Sequence, residues 1–164
     1  MSLHRRAVRV RLKNDHTLSG LIHITEGQSL TSFLSAKLYF LNLTEVEWDV
    51  AADDGVLPHM SIRLSQIIWV EPMEPGLHLS SATLPSEESR RVELHVDGTI
   101  RLQVQMNVAR ETRMSDYLDA NPGFLPLWSV RIVGTGETVD RVALSHHAIE
   151  VIRELERSDP RERD

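Results

Sequence analysis

The sequence predicts an all-β protein built from two tandem five-stranded small barrels, each with one short helical turn. Three observations lead to this fold class. Residues 6–46 align without a gap on residues 90–130, so the chain contains an internal repeat. In both copies apolar and polar residues alternate, which is typical of half-buried strands. A segment rich in proline and serine, residues 73–89, separates the copies.

The repeat is stronger than chance. Nine of the 41 aligned positions are identical, whereas average amino-acid usage predicts about two or three. The identical pairs are Arg6/Arg90, Val8/Val92, Leu18/Leu102, Leu34/Leu118, Ala36/Ala120, Phe40/Phe124, Leu41/Leu125, Leu43/Leu127 and Val46/Val130. Because most of these residues are apolar, the internal duplication predicts architecture better than it predicts activity.

Each copy is predicted to open with an antiparallel hairpin. In copy one, Val8 and Val10 alternate with arginines before a turn at Asn14-Asp15. In copy two the turn is Asp97-Gly98, and Asp-Gly between two alternating runs is a strong hairpin signal.

A short helical segment is predicted next, because apolar residues follow at the spacing i, i+3, i+4. These residues are Leu30, Phe33 and Leu34 in copy one and Met114, Tyr117 and Leu118 in copy two. A third strand is predicted at about 39–50 and 124–134, followed by a turn centred on 53–55 or 134–136 and a fourth strand. The last run is ambiguous in copy two, since residues 148–157 also suit a helix; the repeat favours a strand.

Five short strands in about 65 residues would form a small barrel, because closure removes exposed sheet edges. The predicted organisation is a first barrel at 5–72, a linker at 73–89, a second barrel at 90–157 and a frayed tail at 158–164.

Two segments of copy one, VRVRLKNDHTLSGLIHI and FLNLTEVE, resemble Sm-like/SH3-like small barrels in order and spacing. The resemblance places Gly20 where the second strand bends and Asn42 near the asparagine that binds a base in RNA-handling members. Copy two has Val104 and Pro126 at these positions. The arginine–glycine pair of the family's RNA pocket is absent, and Ser65-Gln66 and Ser145-His146 occupy that region. The resemblance therefore implies a fold, and RNA binding is not carried over.

Copy two also contains the segments RMSDYLD (113–119) and FLPL (124–127). They resemble uncharacterised bacterial domains with the pattern R-[ML]-S-D-[YF]-L-[ND] followed by F-[IL]-P-L. That resemblance covers both copies and implies no established activity.

Composition argues against several function classes. The net charge is −6, and neither copy has the excess of basic residues of a dedicated nucleic-acid binder. The chain has no cysteine, and its eight histidines form no H-x-H or HExxH pattern, so neither a metal nor another cofactor is predicted. No acid–base or nucleophile constellation stands out, which predicts a protein that is not an enzyme. Without a membrane-length apolar run or a signal-peptide core, a cytoplasmic location is expected.

Seven residues form the candidate interaction surface: Arg5, Arg9, Arg11, Lys13, Arg113, Asp116 and Trp128. The first four form a basic strip on the first strand. Arg113 and Asp116 either form a polar pocket or act structurally, with Ser115 or Asp116 capping a helix while Arg113 pairs locally. Trp128, which copy one replaces with Thr44, marks either a contact surface or packing in the core or between barrels.

These patterns predict a non-enzymatic interaction or assembly module that acts through barrel surfaces, through edge-strand addition or through self-association. The expected partner is a second copy or another protein. The alternative is a regulator that binds nucleic acid or a small ligand with the basic strip.

Overall fold

The computed structural model describes residues 2–48, 55–81 and 83–155. Over these residues the chain forms ten strands and two short α-helices. The first half contains β1 (Leu3–Leu12), β2 (Thr17–Thr25), α1 (Leu30–Ser35), β3 (Phe40–Trp48), β4 (Leu57–Arg63) and β5 (Ile67–Pro72). The second half contains β6 (Glu87–Val96), β7 (Ile100–Ala109), α2 (Met114–Ala120), β8 (Phe124–Ile132), β9 (Thr138–Ser145) and β10 (Ile149–Glu154). The same order of elements thus occurs twice, and the predicted all-β class is confirmed.

All ten strands belong to one antiparallel sheet, in the order β10-β6-β7-β8-β9-β5-β1-β2-β3-β4. The predicted closure into barrels is not observed, because within the described residues the sheet is open and ends at β10 and β4. Closure was expected to cover the edges of β5 and β9; instead these two strands pair with each other. The tandem-barrel organisation and the Sm-like resemblance therefore stay predictions.

Both opening hairpins form where the sequence predicts them. Asn14 and Asp15 have φ angles of 66° and 65°, a left-handed conformation that asparagine and aspartate tolerate better than most residues. Asp97 and Gly98 take the same region with φ of 48° and 72°. Two successive left-handed residues give a turn whose twist matches that of the flanking strands, so the chain reverses without splaying the hairpin.

The two helices begin differently. The Ser29 hydroxyl accepts a hydrogen bond from the backbone N–H of Ser32 and caps α1, whose apolar residues are buried as predicted. At α2 the capping prediction is wrong: Arg113 occupies the N-cap position without a side-chain cap, and Ser115 and Asp116 lie inside the helix.

Residues 149–154 are a strand that pairs with β6, which decides the ambiguous segment in favour of the repeat pattern. A short 3-10 turn, His146–Ala148, precedes the strand. The frayed tail and most of the turn predicted at 53–55 lie outside the described residues.

The connection between the halves packs on the protein rather than extending into solvent. Leu77 and Leu79 are buried in the core of the first half. The backbone N–H groups of Leu30 and Thr31 donate to the carbonyl oxygens of His78 and Leu79 at 2.8 and 3.0 Å. This segment therefore satisfies the N-terminal N–H groups of α1, which an isolated helix would leave unpaired.

The core consists of two apolar clusters that exchange side chains at the junction of β5 and β9. Ile68 and Trp69 of β5 pack in the cluster of the second half, and Ala143 of β9 packs in the cluster of the first half. A strand buried on both faces has a continuous apolar sequence instead of an alternating one. This explains the unbroken run Ile67-Ile68-Trp69-Val70.

Candidate functional site

The basic strip of β1 is largely neutralised by carboxylates. Arg5 approaches Glu45 at 3.6 Å, and Arg9 approaches Glu71 at 3.8 Å. Burial raises the pKa of Glu71, although the charge of Arg9 opposes this shift. The strip therefore presents less free positive charge than its sequence suggests.

Arg11, the next arginine of the strip, is also held by local contacts. Arg11 pairs with Asp15, and its guanidinium carbon lies 5.6 Å from the centre of the Trp69 ring. Lys13 lies half-buried in the turn after β1. Arg11 is therefore held by its neighbours, as Arg5 and Arg9 are.

The other three predicted residues lie elsewhere. Arg113 and Asp116 are exposed at the start of α2, and Trp128 lies half-buried on β8. Since β8 and β1 are separated by β9 and β5, the structure does not bring these residues together with the strip. Trp128 packs against the core cluster of the first half, which supports packing between the halves for this residue.

The junction between β5 and β9 is the contact that joins the halves. Trp69 faces Leu144, and Val70 faces Ala143. Beside this ladder, Arg141 donates to the carbonyl oxygen of Glu74 at 3.0 Å. The patterns in the sequence did not predict this junction, although the unbroken apolar run of β5 was a signal for it.

A second close approach joins the halves at Gly123. The Ser35 hydroxyl accepts a hydrogen bond from the backbone N–H of Phe124 at 3.0 Å. A Cβ on residue 123 would overlap the Ser35 side chain, so only glycine allows α1 to approach β8 this closely.

The two outer strands of the sheet have unpaired edges within the described residues. β4 pairs only with β3, and β10 pairs only with β6. Val151 on β10 is 52% exposed, a large fraction for an aliphatic side chain in a strand. An unpaired edge presents a row of N–H and C=O groups that can accept a further strand.

β10 is held to the sheet by a buried carboxylate. The side chain of Glu93 on β6 is 4% exposed and accepts hydrogen bonds from His95, Arg101 and Arg153 at 3.1, 3.3 and 3.1 Å. The hydrogen bond from His95 makes the largest contribution to lowering the pKa of Glu93 to about 2, and the two arginines add to it against the opposing effect of burial. Since Arg153 lies on β10 and Glu93 on β6, their ion pair stabilises the attachment of this edge strand to the sheet.

We expect Glu93→Gln to destabilise the protein in a pH-dependent way. The pKa of this carboxyl is lower in the folded protein, so its ionisation stabilises the fold fully above about pH 4.5 and loses that effect as the pH falls towards 2. Denaturant unfolding of both proteins between pH 2 and 7 should give a difference in unfolding free energy that shrinks at the acid end. Glu111→Gln, at an exposed position, should change stability by less than about 0.5 kcal/mol. A difference that does not vary with pH would contradict this role.

A cleft opens between the halves on the side of α1 and α2, with a volume of about 490 Å³. Its walls come from residues 34, 35, 37–39 and 63–65 of the first half and from residues 120–124, Ser145 and His147 of the second. Two of these residues, Leu38 and Tyr39, are largely exposed, and the next residue along the chain, Phe40, is 43% exposed. The patterns in the sequence did not predict this cleft, although three apolar residues next to a lysine were a usable signal.

Within the described residues, no group of three or more histidine, cysteine or acidic side chains is arranged to hold a metal ion. The described part of the chain also contains no helix of sufficient length and apolar character to cross a membrane. Comparisons with protein-family models, with curated proteins and with solved structures gave no match to this chain.

Proposed function

We propose that this protein is a non-enzymatic assembly module that self-associates by edge-strand addition. In this proposal, β10 of one copy pairs with β4 of the next. The observation that carries it is the junction inside the chain, where the corresponding strands β5 and β9 already pair. Catalysis has no place in the proposal, and the partner is a second copy of the same chain.

The strand registers show how the residues of β10 and β4 correspond to those of β5 and β9 at the internal junction. Val10 faces Val70 of β5, and the corresponding Leu94 faces Ile152 of β10. On the other side, Leu125 faces Leu144 of β9 and the corresponding Leu41 faces Ile62 of β4. Each residue of β10 therefore corresponds to the β5 residue 82 positions earlier, and the same offset relates β9 to β4.

Applying the register of β5 with β9 to β10 and β4 gives a specific register between copies. The pairs Trp69–Leu144 and Val70–Ala143 become Val151–Ile62 and Ile152–Ser61 between copies. Two half-exposed aliphatic side chains of β10 then lie across from the partly apolar β4, and pairing removes apolar surface from water.

The charges at the ends of the two strands agree with this register. Extended by one residue beyond the two pairs of the internal ladder, at the register shift between Ile149 and Val151, it places Glu150 of one copy opposite Arg63 of the next. Continued in the other direction, it places Glu154 opposite His59. Opposite charges in facing positions stabilise a strand pair and select its register.

The β4 edge and the β10 edge are different surfaces, so the contact between copies is head-to-tail. An oligomer that does not close therefore keeps one free β4 edge and one free β10 edge. Such contacts give a ring when the rotation between copies closes and a filament when it does not. Every copy adds two halves, so a closed ring contains an even number of five-stranded units.

We expect Ser61→Cys combined with Ile152→Cys to form disulfide-linked oligomers under mild oxidation. Facing residues of an antiparallel pair have Cα atoms about 4.5–5.5 Å apart, which is within disulfide range. The chain has no other cysteine, so a ladder on a non-reducing gel reports this contact alone.

Two controls distinguish the register from random collision. Either cysteine alone permits dimers at most, and His59→Cys with Ile152→Cys is two residues out of register and should cross-link far less. Light scattering during size-exclusion chromatography should show multiples of 18.7 kDa for the unmodified chain. A monomer at high concentration, with no register-specific ladder, would contradict the proposed function.

A further inference from the structure

The cleft between the halves has an unusual charge for this protein. The chain contains 24 acidic residues and a net charge of −6. Nevertheless, among the described residues that line the cleft, none is acidic, whereas Lys37, Arg63 and His147 are basic. A concave site lined by cations in an acidic protein concentrates positive potential and attracts anions.

The two permanent cations of the cleft contact aromatic rings, and neither contacts a carboxylate among the described residues. The Lys37 ammonium lies 4.4 Å from the centre of the Phe33 ring, and the Arg63 guanidinium carbon lies 4.8 Å from that of Phe40. A ring contact orients a cation without neutralising its charge. Arg5, Arg9 and Arg11 on β1 differ in this respect, since each contacts a carboxylate.

Two exposed, largely apolar side chains lie beside these cations in the lining of the cleft. Leu38 is 83% exposed and Tyr39 is 67% exposed, although both are large and partly apolar. Exposing two such neighbours to water is unfavourable and is typical of a contact site. A tyrosine ring in this setting can stack on a planar group.

The walls of the cleft are fixed by the fold. The Leu64 N–H donates to the carbonyl oxygen of Tyr39 at 2.8 Å, and the His146 N–H donates to that of Gly123 at 3.0 Å. These two equivalent hydrogen bonds connect the start of β3 to the turn after β4, and the loop before β8 to the turn after β9. A site held in this way needs little reorganisation to bind a ligand.

We propose that this cleft binds a small organic phosphate that carries an aromatic ring. The phosphate would contact Lys37 and Arg63, because both side chains bind phosphate oxygens well. The ring would lie against Tyr39. A volume of about 490 Å³ suits a ligand of mononucleotide size.

Calorimetric titration with adenosine 5′-monophosphate at low salt tests the proposal. We expect saturable binding with one site per chain, and weaker binding of adenosine and of inorganic phosphate, since each has only one of the two recognised groups. Lys37→Glu and Tyr39→Ala should each weaken the binding by about tenfold or more. Arg131→Glu makes the same charge change at an exposed position outside the cleft and should leave the binding unchanged.

Lys37 and Tyr39 lie outside β4 and β10, so Lys37→Glu and Tyr39→Ala test the cleft without altering the proposed strand contact, whereas Arg63 belongs to both the cleft and β4. Tyr39 is exposed, and an unchanged melting temperature of Tyr39→Ala would show that the fold is retained. The proposal is overturned if the mononucleotide does not bind at millimolar concentration. It is equally overturned if Lys37→Glu and Tyr39→Ala bind it as tightly as the unmodified chain, or if only a single-stranded oligonucleotide binds.

Discussion

Replacing Trp69 with alanine is expected to lower the free energy of unfolding by about 3–5 kcal/mol, the cost of removing a large aromatic side chain from a packed core. This side chain is 4% exposed and lies on β5 of the first half, yet it packs in the cluster of the second half. A natural domain has a total stability of only about 5–15 kcal/mol, so the loss is a large part of it.

Chemical denaturation followed by circular dichroism measures this effect. Leu38→Ala is the control, because Leu38 is 83% exposed and its truncation should cost less than about 0.5 kcal/mol. If Trp69→Ala cost no more than Leu38→Ala, the junction between β5 and β9 would not be a packed interface in solution.

Reversing the charge of Glu150 is expected to weaken self-association by roughly tenfold to a hundredfold. In the proposed register Glu150 of one copy faces Arg63 of the next, so Glu150→Arg places like charges opposite each other, and a loss of this size corresponds to about 1.4–2.8 kcal/mol. Within its own chain the Glu150 carboxylate accepts a hydrogen bond from the Gly98 N–H at 2.6 Å. A stability measurement on the variant separates this local loss from the loss of association.

The compensating double variant makes the test specific. Arg63→Glu combined with Glu150→Arg restores opposite charges, and sedimentation velocity should show association recovering. Glu111→Arg makes the same change at an exposed residue outside both edges and should leave association unaffected. Failure of the double variant to recover, while both single variants remain folded, would rule out the register.

The outer strands β4 and β10 differ in sequence from the inner strands β9 and β5 to which they correspond. β9 and β4 occupy corresponding places, but β9 ends in four consecutive buried residues and β4 is mostly exposed. Ile68 of the buried β5 corresponds to Glu150 of the exposed β10. Charged residues on an edge strand discourage indiscriminate pairing. In the proposed register, opposite charges on the two edges would restrict association to the matching strand.

The sequence alone determined the local elements of this protein. Alternation of apolar residues predicted the hairpins, and the turn residues Asn14, Asp15, Asp97 and Gly98 take the left-handed conformations that their side chains allow. The spacing of Leu30, Phe33 and Leu34 predicted the buried face of α1. These features depend on neighbours a few positions away, so a reader of the sequence can find them.

Only the tertiary structure decided which strand edges meet. Closure within each half would form hydrogen bonds with the same backbone N–H and C=O groups that β5 and β9 use to pair with each other. The alternating pattern of a strand does not specify which strand it pairs with. The cleft depends on the same long-range choice, because its walls come from segments more than 50 residues apart. The carboxylates beside the arginines of β1 were likewise placed there by folding, since electrostatic contacts depend on distance in space and not on distance along the chain.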